Sequence, residues 1–217
     1  MKQHNYWKLR QIQGPYTQIA LWVMGLVLLA LAFFSSEINF NNVSTVIGLV
    51  LPALSSVLMV FEHFLWKTKP VQIVMKRVPF LEQYWTPVLE GRWSGTLNRD
   101  GRNHNFVIEI KQSYTSISCV TYSKHSSSEA IFTEILFNEE TDRHQLVYYW
   151  SAKTKNVQLS MGEFDTFNGF TVLDIISDGE KVSKLSGRYF TERQPRQTHG
   201  SLELTFQQKK NVNQYNL

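Results

Sequence analysis

The chain has 217 residues, is 43% hydrophobic and carries a formal net charge of +4. So mild a charge excludes both a nucleic-acid coat and an acid-rich disordered chain. One cysteine, Cys119, excludes an intrachain disulfide and leans toward a reducing compartment.

Residues 1–17 form a tail containing Lys2, Lys8 and Arg10. A first membrane helix is expected over 18–34, because the run from Ile19 to Phe34 holds no charge and approaches the roughly 20 residues a spanning helix needs. A cleaved signal peptide is the alternative for this segment, but a second apolar run follows almost at once. The loop 35–42 is short, polar and free of Lys and Arg. The second membrane helix is expected over 43–65, with Glu62 as its first charge. Lys67, Lys69, Lys76 and Arg77 follow it, whereas the loop between the helices has only Glu37. Basic residues stay on the cytoplasmic side of a membrane. The expectation is therefore a two-pass protein of the bacterial inner membrane, with both termini and the C-terminal domain in the cytoplasm.

Ser44, Gly48, Pro52, Ser55 and Ser56 place small or helix-disturbing residues along the second helix. Such a row lets helices approach closely in lipid. It suits oligomerisation, and equally suits packing of the hairpin against itself. Neither helix carries a mid-membrane Asp, Glu, Lys or Arg, so a charge-based ion pathway has no support. The connector 66–90 mixes basic and aromatic residues and is interrupted by Pro79 and Pro87. Its Tyr84 and Trp85 suit either a headgroup layer or a cap on the base of the next domain.

From Gly91 the pattern changes to alternation, the mark of half-buried strands. Eight strands are expected, at about 91–98, 104–112, 115–123, 129–138, 144–152, 168–177, 182–192 and 199–208. Asp100-Gly101 and Asp178-Gly179 supply tight hairpin turns. Lys124 to Ser127 and Glu139 to Asp142 make further polar turns, and only 153–167 is a longer connection. Hairpin-joined strands of this number suit an all-β, up-and-down, calycin-like barrel over 91–210, with 211–217 as a tail. A sandwich is the alternative.

No nucleophile elbow, phosphate-cradling glycine loop or paired metal-binding histidines are present. The expectation is a protein that is not an enzyme, with no cofactor and no metal. Asp174 is expected to face water, opposite Leu173 and Ile175. The later strands are loaded with aromatic and basic residues. Tyr148, Tyr149 and Trp150 are consecutive, and Arg188, Tyr189, Thr191 and Arg193 follow in the seventh strand and its exit. Tyr189, Thr191 and Arg193 share one face by the two-residue period. Aromatic faces stack bases and guanidinium groups pair with phosphates, so a barrel mouth lined this way suits a small dianionic nucleotide. A plain β core with solvated outer arginines is the competing reading.

The order of parts resembles the transmembrane β-barrel effectors of bacterial CBASS antiphage defence, proteins associated with CD-NTase enzymes. The likeness rests on the basic start, the two-helix hairpin and the connector, then on two motifs. Glu90-Gly91-Arg92-Trp93-Ser94-Gly95 opens the barrel, and Leu185-Ser186-Gly187-Arg188-Tyr189-Phe190-Thr191-Glu192-Arg193 lies near its end. The resemblance implies a receptor for a cyclic dinucleotide messenger, with no DNA or RNA partner. It implies that the loaded protein forms a homo-oligomer through its membrane helices, disrupts the lipid bilayer and kills the infected cell. Trp93, Tyr149, Arg188, Tyr189, Thr191 and Arg193 are the expected ligand-binding residues. Two other functions compete: a membrane-anchored lipocalin-like module for an apolar ligand, and a protein-docking anchor with a filled core.

Overall fold

The computed structural model describes residues 40–82, 84–124, 126–138, 143–154, 166–178, 181–192, 197–209 and 212. The chain divides into two compact units, a helical one ending at Glu82 and a β unit beginning at Gln83.

In the helical unit, α1 (Phe40–His63) is a helix of 24 residues, where the second apolar run predicts one. Pro52 lies inside it. The hydroxyls of Ser55 and Ser56 donate to the carbonyls of Leu51 and Pro52 in the preceding turn, each at 2.8 Å. The first of these bonds uses a carbonyl one turn back, the usual way a helix tolerates serine without a partner outside it. Gly48 has open space where a side chain would stand. The side chain of Ser44 and the whole expected first helix, 18–34, lie outside the described residues, as do those of 40–47, 49, 50 and 53. Among the described residues no helix is long and apolar enough to cross a membrane. A single 3-10 turn (Leu65–Lys67), α2 (Lys69–Arg77) and α3 (Pro79–Glu82) complete this unit. Pro70 suits the start of α2, where its missing N–H is not needed.

The β unit holds β1 (Gly91–Arg99), β2 (Arg102–Gln112), β3 (Ile117–Ser123), β4 (Ser126–Asn138), β5 (Arg143–Thr154), β6 (Thr166–Asp178), β7 (Lys181–Thr191) and β8 (His199–Gln208). Each strand pairs antiparallel with the next, and β1 pairs with β8, so the sheet closes into a barrel. Closure excludes the sandwich. Asp100 and Gly101 both take positive φ, 51° and 75°, the two-residue turn that matches strand twist. Strand β4 begins at Ser126, three residues before its expected start, because Ser127 and Ser128 pair with Tyr122 and Thr121. Serines are poor strand formers alone, and here pairing overrides that preference. The turn 139–142 and most of 153–167 lie outside the described residues.

The ladder fixes which residues face inward. Trp93, Ile108, Ile110, Cys119, Ile135, Leu146, Leu173, Ile175, Leu185, Leu202 and Leu204 are all buried, and register puts them on one side of the sheet. They fill the half of the barrel nearer the connector. That end is sealed by hydrogen bonds. The Gln112 side chain accepts from the Leu89 N–H at 2.7 Å and donates to the Pro87 carbonyl at 3.0 Å. Trp93 Nε1 donates to the Leu89 carbonyl at 2.9 Å. Trp85 stands edge-on to His144 at 4.9 Å, so this part of the connector caps the base. Asp174 lies on the outer face, as expected, and accepts from Gln145 at 2.7 Å.

Cys119 sits in the apolar floor, where burial pushes its thiol from 9.0 up to about 12, against a smaller opposite pull from Thr133. The folded state keeps a proton that the unfolded thiol releases. This contribution to stability is therefore complete below about pH 9 and declines as pH rises toward 12. Urea midpoints measured across an alkaline pH series should fall over that window, and the part of the fall between about pH 9 and 10, before the raised phenols of Tyr148 and Tyr189 contribute, should be lost in Cys119→Ala. A thiol reagent at neutral pH should label Cys119 only as the barrel unfolds.

Candidate functional site

The upper half of the barrel, away from the connector, has a different lining. Here the inward period passes through Thr121 and Ser123 on β3, Ser126 and Ser128 on β4, Tyr148 and Trp150 on β5, Phe167 and Thr171 on β6, and Tyr189 and Thr191 on β7. Hydroxyls and aromatic rings replace the aliphatic side chains of the floor.

Two glycines set the position of two rings. Gly169 stands opposite Trp150, and Gly200 opposite Tyr189. A Cβ at Gly169 would meet the Trp150 ring and come within 2.6 Å of the Phe190 carbonyl; one at Gly200 would lie 2.7 Å from the Tyr189 ring. Each ring thus lies across a bare stretch of the neighbouring strand, a known way for an aromatic to cover a strand glycine. The rings lean on the wall.

The polar groups are partly committed to one another. Trp150 Nε1 donates to Thr171 Oγ1 at 2.9 Å. The hydroxyls of Thr121 and Ser128 are hydrogen-bonded, as are those of Thr191 and Thr198, the latter at 2.7 Å. The Tyr148 hydroxyl is buried and has no hydrogen-bond partner among the described residues. Burial pushes its phenol far above the ordinary range, so it is a neutral donor at every physiological pH. An orphaned buried hydroxyl is a group for which a ligand atom or a water remains to be supplied.

At the rim, the β1–β2 hairpin brings two arginines onto the inward period. Arg99 and Arg102 are paired across the turn, in phase with Leu97 and His104. Arg99 Nε lies 3.5 Å from Asp100 Oδ2, and both side chains are open to water. Burial raises the Tyr189 phenol, while Arg99 lowers it and Asp100 raises it further. The hairpin charges are therefore felt at the buried ring. Among the described residues no group of three His, Cys, Asp or Glu side chains is placed to hold a metal ion.

The expected site residues separate. Tyr189 and Thr191 lie together, inward and buried, in the upper half. Trp93 also faces inward, but in the sealed floor, edge-on to Phe206 at 5.2 Å. Tyr149 and Arg188 fall on the outer face, because the inward residues are even-numbered on β5 and odd-numbered on β7. A site inside the barrel does not include them. Arg193 lies outside the described residues. Thr121, Ser128, Thr171 and the arginine pair were not expected; of the aromatic run Tyr148-Tyr149-Trp150, the expected binding residue Tyr149 faces out and its two neighbours face in. Their signal was available in the two-residue period that runs through Leu146, Tyr148 and Trp150.

A closed eight-stranded barrel, sealed at one end and lined above with hydroxyls and rings, has the architecture of a small-ligand receptor. Residues 84–206 match the family model described as Cap15, cyclic dinucleotide receptor domain, and the chain belongs to that family. The expected kinship with CBASS effectors is thereby borne out. A comparison with curated proteins finds no match.

Proposed function

We propose that the upper half of the barrel binds a cyclic dinucleotide and that binding drives the membrane helices to assemble, disrupting the bacterial inner membrane and ending infection by death of the cell. The observation that carries this reading is the inward set of Trp150, Tyr189, Thr121, Ser128 and Thr171 beneath Arg99 and Arg102, in a chain of the receptor family. A cyclic dinucleotide offers flat bases, polar base edges and two phosphates. Rings stack the bases, uncharged hydroxyls meet their edges, and guanidinium groups face the phosphates. A lipid would suit a mainly aliphatic lining, whereas here Leu97, Ala130 and Ala152 stand among hydroxyls and rings. The protein acts by binding, with no chemistry of its own. Both termini and the barrel face the cytoplasm, where a nucleotide messenger is made. A two-helix hairpin cannot enclose a pore, so action requires several copies. The ligand favours the assembled state only through tighter binding to it.

Calorimetry of the full chain with a panel of cyclic dinucleotides tests the reading. One member should bind, and Arg99→Ala with Arg102→Ala should weaken it by about 100-fold or more, since each guanidinium contributes at least one hydrogen bond to a charged group, about 1.5–3 kcal/mol. The salt dependence of binding should flatten in the same variant. Silence across the panel, or an unchanged affinity in the double variant, overturns it.

A further inference from the structure

One buried polar group inside the barrel has no use in the receptor role as set out so far. Tyr148 faces inward from β5, one step above Leu146 and one below Trp150, where the aliphatic floor gives way to the polar upper half. The side chain is 1% exposed. Below the β-bulge between Ala130 and Phe132, Thr133 on β4 stands directly opposite Tyr148, and Thr171 on β6 stands opposite it on the other side. Three uncharged hydroxyls thus share one rung of the barrel.

Two of the three are occupied. Thr171 Oγ1 accepts the Trp150 indole N–H at 2.9 Å. Thr133 hydrogen-bonds to Cys119, pulling down a thiol that burial pushes up more strongly. The Tyr148 hydroxyl is left without a partner among the described residues. A buried hydroxyl that makes no bond weakens the fold by the full loss of its hydration. Phenylalanine has the same shape without that cost, so packing alone gives no reason for the oxygen. The neighbours also set the sense of the bond it can make. Thr171 has used its oxygen on the indole and keeps only its O–H to donate, directly across the rung from the phenol oxygen. Burial and Cys119 raise that phenol, and Thr171 draws it down. A phenol oxygen shares its lone pairs with the ring and is a poor acceptor. What Tyr148 offers an incoming group is its proton.

At the edge away from the sugar, uracil and guanine present a carbonyl oxygen, whereas cytosine and adenine present an amino group in its place. We infer that Tyr148 reads the base, selecting a cyclic dinucleotide with a carbonyl at that edge of at least one base over the counterpart with an amino group. This rests on the receptor reading above and adds to it the choice among messengers. Trp150 and Tyr189 hold a base by its face, which every base has. Arg99 and Arg102 meet phosphates, which every such messenger has. Discrimination falls to the polar group beneath them, because a site built to bond a polar atom rejects an analogue that lacks it.

Two measurements on the full chain test the inference. Without ligand, Tyr148→Phe should melt at least about 2 °C higher than the wild type, since it deletes an unpartnered buried oxygen and leaves the shape unchanged. Calorimetry with same-base and mixed cyclic dinucleotides reads the choice of base. The member that binds should contain uracil or guanine, and exchanging that base for cytosine or adenine, respectively, should weaken wild-type binding at least tenfold. Tyr148→Phe should lose at least tenfold for the carbonyl member and leave its amino counterpart little changed. A variant that melts no higher overturns the inference, because the hydroxyl then has a partner, such as a fixed water, in the free protein. So does a variant with unaltered affinity or preference, and so does a messenger built only of adenine and cytosine. If Tyr148→Phe binds normally while Arg99→Ala with Arg102→Ala does not, the receptor reading stands and the role of Tyr148 alone falls. Silence across the whole panel overturns both.

Discussion

Replacing Arg92 by alanine is expected to lower the stability of the barrel by about 3–5 kcal/mol, the usual effect of stranding one member of a buried ion pair. Arg92 Nη1 lies 2.6 Å from Glu109 Oε1, and each side chain is only 2% exposed. The pair sits on the outer face of β1 and β2, beside buried Val107. The backbone N–H of Val212 donates to the same carboxylate oxygen at 2.8 Å. The chain beyond β8 is thereby tied to the wall. Without the guanidinium, Glu109 keeps the Val212 N–H but loses the counter-charge of Arg92 while remaining out of water. Thermal unfolding followed by far-ultraviolet circular dichroism should show a melting temperature lower by roughly 6–20 °C. The double change Arg92→Met with Glu109→Leu should recover most of that loss, because apolar side chains of similar volume often replace a buried pair without penalty. A single Arg92→Ala variant as stable as the wild type would show that water reaches Glu109 after all.

Gly169→Val is expected to have the second large effect, on both fold and binding. The added carbons would press on the Trp150 ring and on the Phe190 carbonyl, 2.6 Å from the first of them. The carbonyl belongs to the ladder and cannot move far, so the ring moves inward. Overpacking of this kind commonly costs about 1–3 kcal/mol. A displaced Trp150 also loses its bond to Thr171 and fills space a ligand would use. Urea unfolding should show the loss of stability, and calorimetry should show messenger affinity reduced by tenfold or more. Trp150→Ala separates the two effects: it relieves the crowding in Gly169→Val but does not restore binding. If Gly169→Val bound the messenger normally, the upper half would not be the binding site.

Strand number, order and most boundaries were legible in the sequence because alternation and paired turn residues are local signals. Asp100-Gly101 is the clearest case: both residues adopt the positive φ that the dipeptide predicts. The early start of β4 was not legible, since Ser126 to Ser128 gain strand structure only from a neighbour. The lining of the site was half legible. Tyr189 and Thr191 share an inward face by simple counting, and do so in the structure. Whether an aromatic run such as Tyr148-Tyr149-Trp150 points its middle or its flanks inward depends on register with β4 and β6, a non-local matter. The bulge at Ala130 resets the phase of β4 and gave no separate signal in the residues. The floor claims Trp93, one of the expected ligand-binding residues, because Leu89 arrives from the connector to accept its N–H.

The two storeys of the barrel interior divide the labour of the domain. Most of the buried aliphatic side chains of the interior lie in the lower storey, whereas the serines and threonines above contribute little apolar burial. Substitutions at well-separated positions act almost independently on stability. Thr121, Ser128 or Thr171 can therefore be exchanged for other small polar residues with little change in melting behaviour. On the proposed reading of the upper storey, a lineage can change the nucleobase it recognises step by step, each intermediate still a folded barrel.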